Sequence, residues 1–222
     1  MDACKTGWVG VVLDRGAASA SFAPTIAELV TVAEAAGRLA VVAIDIPIGL
    51  PDAGRRRADL LAREAAGPRR SSVFMTPARS ALRAADHAAA VRVSQQLTGD
   101  GISIQAFSLR TKMLEVDAWV STAGRHVVEV HPEVSFARMA GAALRDGKTT
   151  WAGVERRRAL LAAQGVALAG DLGDAGRAAR VDDVLDAAAA AWSARRVAAG
   201  EAMSLPSPPE VFSDGIPCAI WT

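Results

Sequence analysis

Carboxylates placed at the ends of apolar segments are the residues of this chain with the most chemistry in them. Asp45 lies inside "VAIDIPIG", and Glu129 inside "VVEVHPE" with Glu133 four residues on. Asp182, Asp183 and Asp186 open a long alanine-rich stretch, and Asp2 stands just ahead of the Val-rich segment 7–14. A strand centre is an expensive place for an unpaired charge, so Asp45 in particular requires a partner. Carboxylates gathered in one crevice repel and raise each other's pKa unless a cation joins them. Mg²⁺ and Mn²⁺ favour such hard oxygen ligands. Two such ions about 3.5–4 Å apart activate a water and stabilise a leaving oxygen in phosphodiester hydrolysis.

Ordinary roles compete for each of these acids. Asp182, at a helix start, suits an N-cap, and Asp183 in the first turn complements the helix dipole. Glu129 can pair with an arginine such as Arg125. His131 reads as a loop or packing histidine, since His87 and His126 form no recognisable cluster with it.

The elements that must position the acids follow from periodicity. "GWVGVVLD" (7–14) reads as a strand, followed by a turn at "RGA" and a second short strand. "TIAELVTVAEAAG" (25–37) is an amphipathic helix with Thr25 as cap, Glu28 completing a capping box and Gly37 at its end. "LAVVAIDIPIG" has the near-continuous apolar character of a strand covered on both faces. Residues 54–82 hold a charged helix, a "GPRRSS" loop and a Pro-punctuated connector, with helical stretches near 84–98 and 103–121. "RHVVEVHPEVSFARMAG" is a strand running into a short helix, "VERRRALLAAQG" is helical, 180–200 is a long helix, and "AIWT" closes as an edge strand. The order predicts one mixed α/β domain over 1–222, with a helical insertion at 54–121 between its last two core strands. In such a sheet the strand ends converge on one crevice, which would bring Asp45 and Glu129 to the same edge. Asp183 and Asp186, one helical turn apart, would reach it from a packed helix.

Composition sets the limits. The chain has 222 residues, 51% of them hydrophobic, and a net charge of +1. No apolar run approaches the roughly 20 residues of a membrane helix, and no basic-then-apolar leader is visible. Cys4 and Cys218 match no metal-binding spacing, which points to a reducing cytoplasm. Lys5, Lys112 and Lys148 are the lysines among many arginines and alanines. That is the bias of a GC-rich bacterial genome, and it lowers the weight of any one arginine cluster. A near-zero net charge disfavours a nucleic-acid coat protein but not an enzyme touching a few phosphates.

The blocks "MDACKTGWVGVVLD", "VAIDIPIGLP", "GRRRADLLARE", "GPRRSSVF", "EVHPEVSF" and "VDDVLDAAAAAWSARR", in this order, resemble the bacterial family catalogued as domain of unknown function four-two-nine, predicted nucleases of the RNase H-like fold. The resemblance spans nearly the whole chain. It implies a five-stranded mixed sheet flanked by helices. Family members usually carry a short apolar strand and a Gly-x-Asp segment ahead of the "GW"; here only "MDA" precedes it, so the first strand is expected to be truncated. By the resemblance Asp2 stands where the first-strand aspartate of RNase H-like enzymes would be, Asp45 matches the fourth-strand acid, and Asp183 and Asp186 match the final-helix pair of resolvase-type members. Glu129, on the fifth strand, is a family-specific candidate.

The resulting expectation is a Mg²⁺- or Mn²⁺-dependent nuclease with Asp2, Asp45, Glu129, Asp183 and Asp186 as catalytic acids, of which Asp2, Asp45 and Asp186 hold metal. Arg69, Arg70, Ser71 and Ser72 offer planar forks and hydroxyls for phosphates. Lys112 and Lys148 could add charge near the crevice. The alternatives are a phosphohydrolase or phosphotransferase on a small nucleotide, which the modest charge suits, and a non-catalytic RNase H-fold binding module. No Walker phosphate loop occurs, and Ser71, Ser72 and Ser135 lie in no G-x-S-x-G elbow.

Overall fold

The computed structural model describes residues 1–222 apart from the side chain of Ala36. It is a mixed α/β structure with a three-stranded and a four-stranded sheet. β1 (Asp2–Cys4), β2 (Gly7–Asp14) and β3 (Ala17–Ala23) form an antiparallel meander. The turn between β2 and β3 places Arg15 and Gly16 at φ 46° and 85°. Positive φ at both central residues is the backbone twist that a two-residue hairpin needs. β4 (Val42–Ile44), β5 (Val127–Glu129) and β7 (Pro217–Trp221) run parallel, and β6 (Ser204–Val211) closes the edge antiparallel to β7.

The two sheets are stitched at Met1. Its N donates to Ala43 O at 2.8 Å and its O accepts from Asp45 N at 2.9 Å. One residue bonding to j−1 and j+1 of its neighbour is the parallel pattern, so Met1 lies opposite Ile44 and Asp2 opposite Asp45.

Helices cover both faces. α1 (Ile26–Ala33) is capped by Thr25, whose Oγ1 accepts from Glu28 N at 3.3 Å. It passes into a 3₁₀ turn at Glu34–Ala36 instead of running on to Gly37. Between β4 and β5 come α2 (Arg57–Ala66), a 3₁₀ turn at Gly67–Ser72, α3 (Arg79–Leu82), α4 (His87–Thr98), α5 (Ile104–Ser108) and α6 (Arg110–Val120). The helical stretch read as 103–121 is thus two helices, which meet at Leu109. α7 (Pro132–Ala140), α8 (Trp151–Ala163), α9 (Gly173–Ala178) and α10 (Val181–Ala198) follow β5.

α10 contacts β2, β1 and β4, and so lies across the junction of the sheets. Ala187 to Ala191 are buried along it. Small side chains let its backbone approach the strands, where Ala190 meets Ala43, Val128 and Val130. On the opposite face Trp8, Val42 and Ile44 pack with Met113 and Val116 of α6. Each large side chain buried this way contributes roughly 1.5–3 kcal/mol.

One expectation about the C-terminal segment is corrected. Ala219–Trp221 of "AIWT" belong to β7, which is internal, between β5 and β6. The edge is β6, "SLPSPPEV", a stretch that periodicity assigns to no element, which holds Pro206, Pro208 and Pro209. Proline cannot donate to a ladder, but an edge strand leaves one side free of that demand.

Candidate metal centre

The sheet junction explains why Asp2 and Asp45 meet. Opposite residues of neighbouring strands project from the same face, and on Asp2's face its β2 partner Val9 is buried in the core beneath α10. Asp186, on the side of α10 turned to the sheet, comes over the same point. One carboxylate oxygen from each of Asp2, Asp45 and Asp186 lies within 4.8 Å of the other two. Asp2 is 7% exposed and Asp186 2%, while Asp45 is half-buried. The three line a cavity of about 250 Å³ beside the carboxyl ends of β4 and β5.

Among the described residues no hydrogen-bond donor reaches the carboxylates of Asp2 or Asp45, and Asp186 has one, Lys148 Nζ at 2.5 Å. Burial, followed by the neighbouring acids, raises the Asp2 carboxyl well above the ordinary carboxylate range. Burial raises Asp45 as well, against the pull of His131 and Lys148. Asp186 is pushed up to about 7, chiefly by burial, although Lys148 pulls the other way. Three carboxylates against one ammonium leave two net negative charges in a desolvated place, which is the environment a divalent cation neutralises. Hard oxygen donors in this number suit Mg²⁺ or Mn²⁺. The residues present therefore fit such an ion.

Of the other expected site residues, Glu129, Asp183 and Ser72 also line the cavity, whereas Arg69, Arg70, Ser71 and Lys112 do not. Glu129 pairs with Ile44 in the β4–β5 register, one residue away from Asp45. Successive side chains of a strand alternate between faces, so Glu129 projects from the face opposite Asp45. There its Oε1 accepts from Arg56 Nη2 at 2.6 Å and its Oε2 from Ile48 N at 2.7 Å. Burial raises its pKa to about 7 even with Arg56 pulling it down. The partner is Arg56 and not Arg125, which is paired with Glu34. Asp183 lines the cavity, but one of its oxygens accepts from Arg180 N at 3.1 Å at the start of α10. The N-cap there is Arg180, and Asp182 lies two residues into the helix, 3.9 Å from Lys148.

Of the arginine–serine block, Ser72 lines the cavity. Arg69 is half-buried with Nε 3.8 Å from Glu133, and Arg70 and Ser71 are exposed. Lys112 lies 3.6 Å from Glu115 and 4.7 Å from the Trp8 ring centroid, and it is not part of the cavity lining. His131 serves α7, its Nδ1 accepting from Glu133 N at 3.3 Å, and its side also lines the cavity.

Two partners were not legible as such in the sequence, and a third was. Arg56, fully buried, sits between Glu129 and Asp59. Arg157, also fully buried, takes both oxygens of Glu133 at 2.8 Å. Lys148, expected to add charge near the crevice, enters the acid cluster itself. A signal for it did exist: in a chain so biased to arginine, a lysine is a compact point charge that arginine does not replace.

The geometry defines a class: an α/β protein with a buried acidic cluster able to hold a metal ion. The chain belongs to the family described as "protein of unknown function (DUF429)", whose model matches residues 1–211. No curated protein and no solved structure matches it. Among the described residues, no helix is long and apolar enough to cross a membrane.

Proposed function

We propose that the protein is a divalent-metal-dependent nuclease that hydrolyses phosphodiester bonds. One observation carries this reading: Asp2, more than nine-tenths buried and without a donor among the described residues, shares a cavity with Asp45 and Asp186 at ligand spacing. When bound, Mg²⁺ or Mn²⁺ supplies Lewis-acid activation of water and of the phosphate. Asp2, Asp45 and Asp186 hold the ion, and Asp183 offers its remaining oxygen at the same cavity. Ser72 lines the same cavity, and Arg69 lies 3.8 Å from Glu133, which also lines it. Reading the Met1 hydrogen bonds as a ladder gives the strand order β3-β2-β1-β4-β5. That order fits the RNase H-like fold that the resemblance implies, with β7 and β6 added beyond it.

A second reading, hydrolysis or phosphoryl transfer on a small nucleotide, draws support from the cavity's modest volume of about 250 Å³. Titration of Mn²⁺ followed by calorimetry tests the site, and incubation with DNA, RNA and free nucleotides in Mg²⁺ or Mn²⁺ tests the substrate. Binding that Asp45→Asn abolishes, with cleavage of a polynucleotide, is the expected result. Turnover of free nucleotides alone moves the assignment to the second reading. No metal binding by the wild type would overturn both and leave a binding module.

A further inference from the structure

Lys148 is held in the acid cluster by more than its own ion pair. It belongs to the segment between α7 and α8, which the structure anchors at several points. Leu144 is buried in the core beneath α10. Arg157 Nη1, fixed by Glu133, donates to Asp146 O at 3.1 Å. Thr150 N and Oγ1 donate to Gly147 O at 3.0 and 2.8 Å. The first turn of α8 approaches so closely that a Cβ at Gly153 would lie 1.9 Å from Gly147 O. This scaffold presents Lys148 Nζ at 2.5 Å from Asp186 Oδ2 and 3.9 Å from Asp182.

Metal sites of the two-ion kind place their cations about 3.5–4 Å apart around shared carboxylates. Here one oxygen of Asp186 is already taken by a fixed cation. With Asp182 paired to Arg180 at 3.3 Å, the cavity acids Asp2, Asp45, Asp183 and Asp186 with Lys148 sum to three negative charges, which one divalent ion largely balances. A second would leave the buried centre with excess positive charge.

We propose that Lys148 stands in place of a second metal ion, so that the centre binds a single divalent cation and the lysine ammonium is its permanent companion. This rests on the metal-site reading given above. It makes Lys148 the residue that sets the stoichiometry, with Arg157 and Gly153 as positioning residues acting through the segment that bears it. The two-ion arrangement expected from the carboxylates alone is thereby revised.

The experiment counts Mn²⁺ per folded chain by calorimetry and by electron paramagnetic resonance, for the full chain and for Lys148→Met, Lys148→Arg and Asp45→Asn. The wild type is expected to bind one ion, lost in Asp45→Asn, with the six-line spectrum of an isolated Mn²⁺. Lys148→Met is expected to bind two, with the spin-coupled spectrum of neighbouring ions, and Lys148→Arg to return to one. Two coupled ions in the wild type would overturn the proposal while leaving the metal site intact, and so would a single ion in a folded Lys148→Met. No binding by the wild type would sink the metal site itself. The wild-type count decides the matter even where Lys148→Met does not fold.

Discussion

Glu129 and Asp45 stand at neighbouring strand ends, yet Glu129 meets an arginine and a backbone amide while Asp45 meets neither. The same contrast separates Glu133, gripped at both oxygens by Arg157, from Asp2, which has no donor among the described residues. Buried acids in one region are matched by permanent cations and act as struts between elements: Arg56 ties α2 to β5, and Arg157 ties α8 to α7. In the other region three acids share one lysine, and the mismatch makes the site receptive to a metal ion. Burial alone therefore does not identify a functional carboxylate in this molecule. The balance of charge around it does.

Breaking a strut should have the largest effect. Arg56→Met strands Glu129 and Asp59 in a dry interior, and such losses cost about 3–5 kcal/mol. Calorimetry should show a fall in Tm of about 6–20 °C for a chain of this size. A change under 2 °C, far below that range, would erase the distinction between the two regions. Next in size is the response to metal. At about 100 times its Kd, Mn²⁺ should stabilise the wild type by about 2.7 kcal/mol, or about 5–10 °C. Asp45→Asn should show no such shift in the same thermal scan.

The third effect is a pH dependence. Asp186 has a folded pKa of about 7, above its ordinary 3.8, so the folded chain binds more protons than the unfolded one between those values. Stability present below that interval is then lost as pH rises through about 7. In chelator, wild-type stability should fall between pH 5 and 8, and Asp186→Asn should remove a part on the order of 1 kcal/mol. Saturating Mn²⁺ should abolish the fall, and a rise with pH in chelator would contradict the assignment. Smallest of all, Glu129→Gln should change Mn²⁺ affinity by no more than about two- to threefold, since Arg56 and Ile48 N already take its two oxygens. A tenfold loss by calorimetry would return Glu129 to the metal site.

Much of this was legible in the linear chain. Local rules placed the Thr25 cap, the β2–β3 hairpin turn and the long α10, because each depends on residues within a few positions of one another. The trio Asp2, Asp45 and Asp186 was also identifiable, through a family resemblance and the oddity of a carboxylate in an apolar strand. Glu129 does line the cavity at the strand-end edge it shares with Asp45, but its meeting Arg56 on the other face was not legible, because that turns on the parity of one residue in the β4–β5 register. Periodicity within a short apolar strand cannot reveal which neighbour it will face. β6 escaped because proline, which usually ends strands, is tolerated where one edge needs no donors.

The amino-acid sequence by itself determined which segments could be strands and helices, and that acids sit at their ends, since these follow from side-chain period, caps and turns. Only the tertiary structure decided which acids are neutralised and which are left wanting a cation. Lys148 and Asp186 are separated by 38 residues, and Arg56 and Glu129 by 73. Charge pairing acts over a few ångströms of space, and the packing of α2, α8 and α10 on the sheet sets those distances.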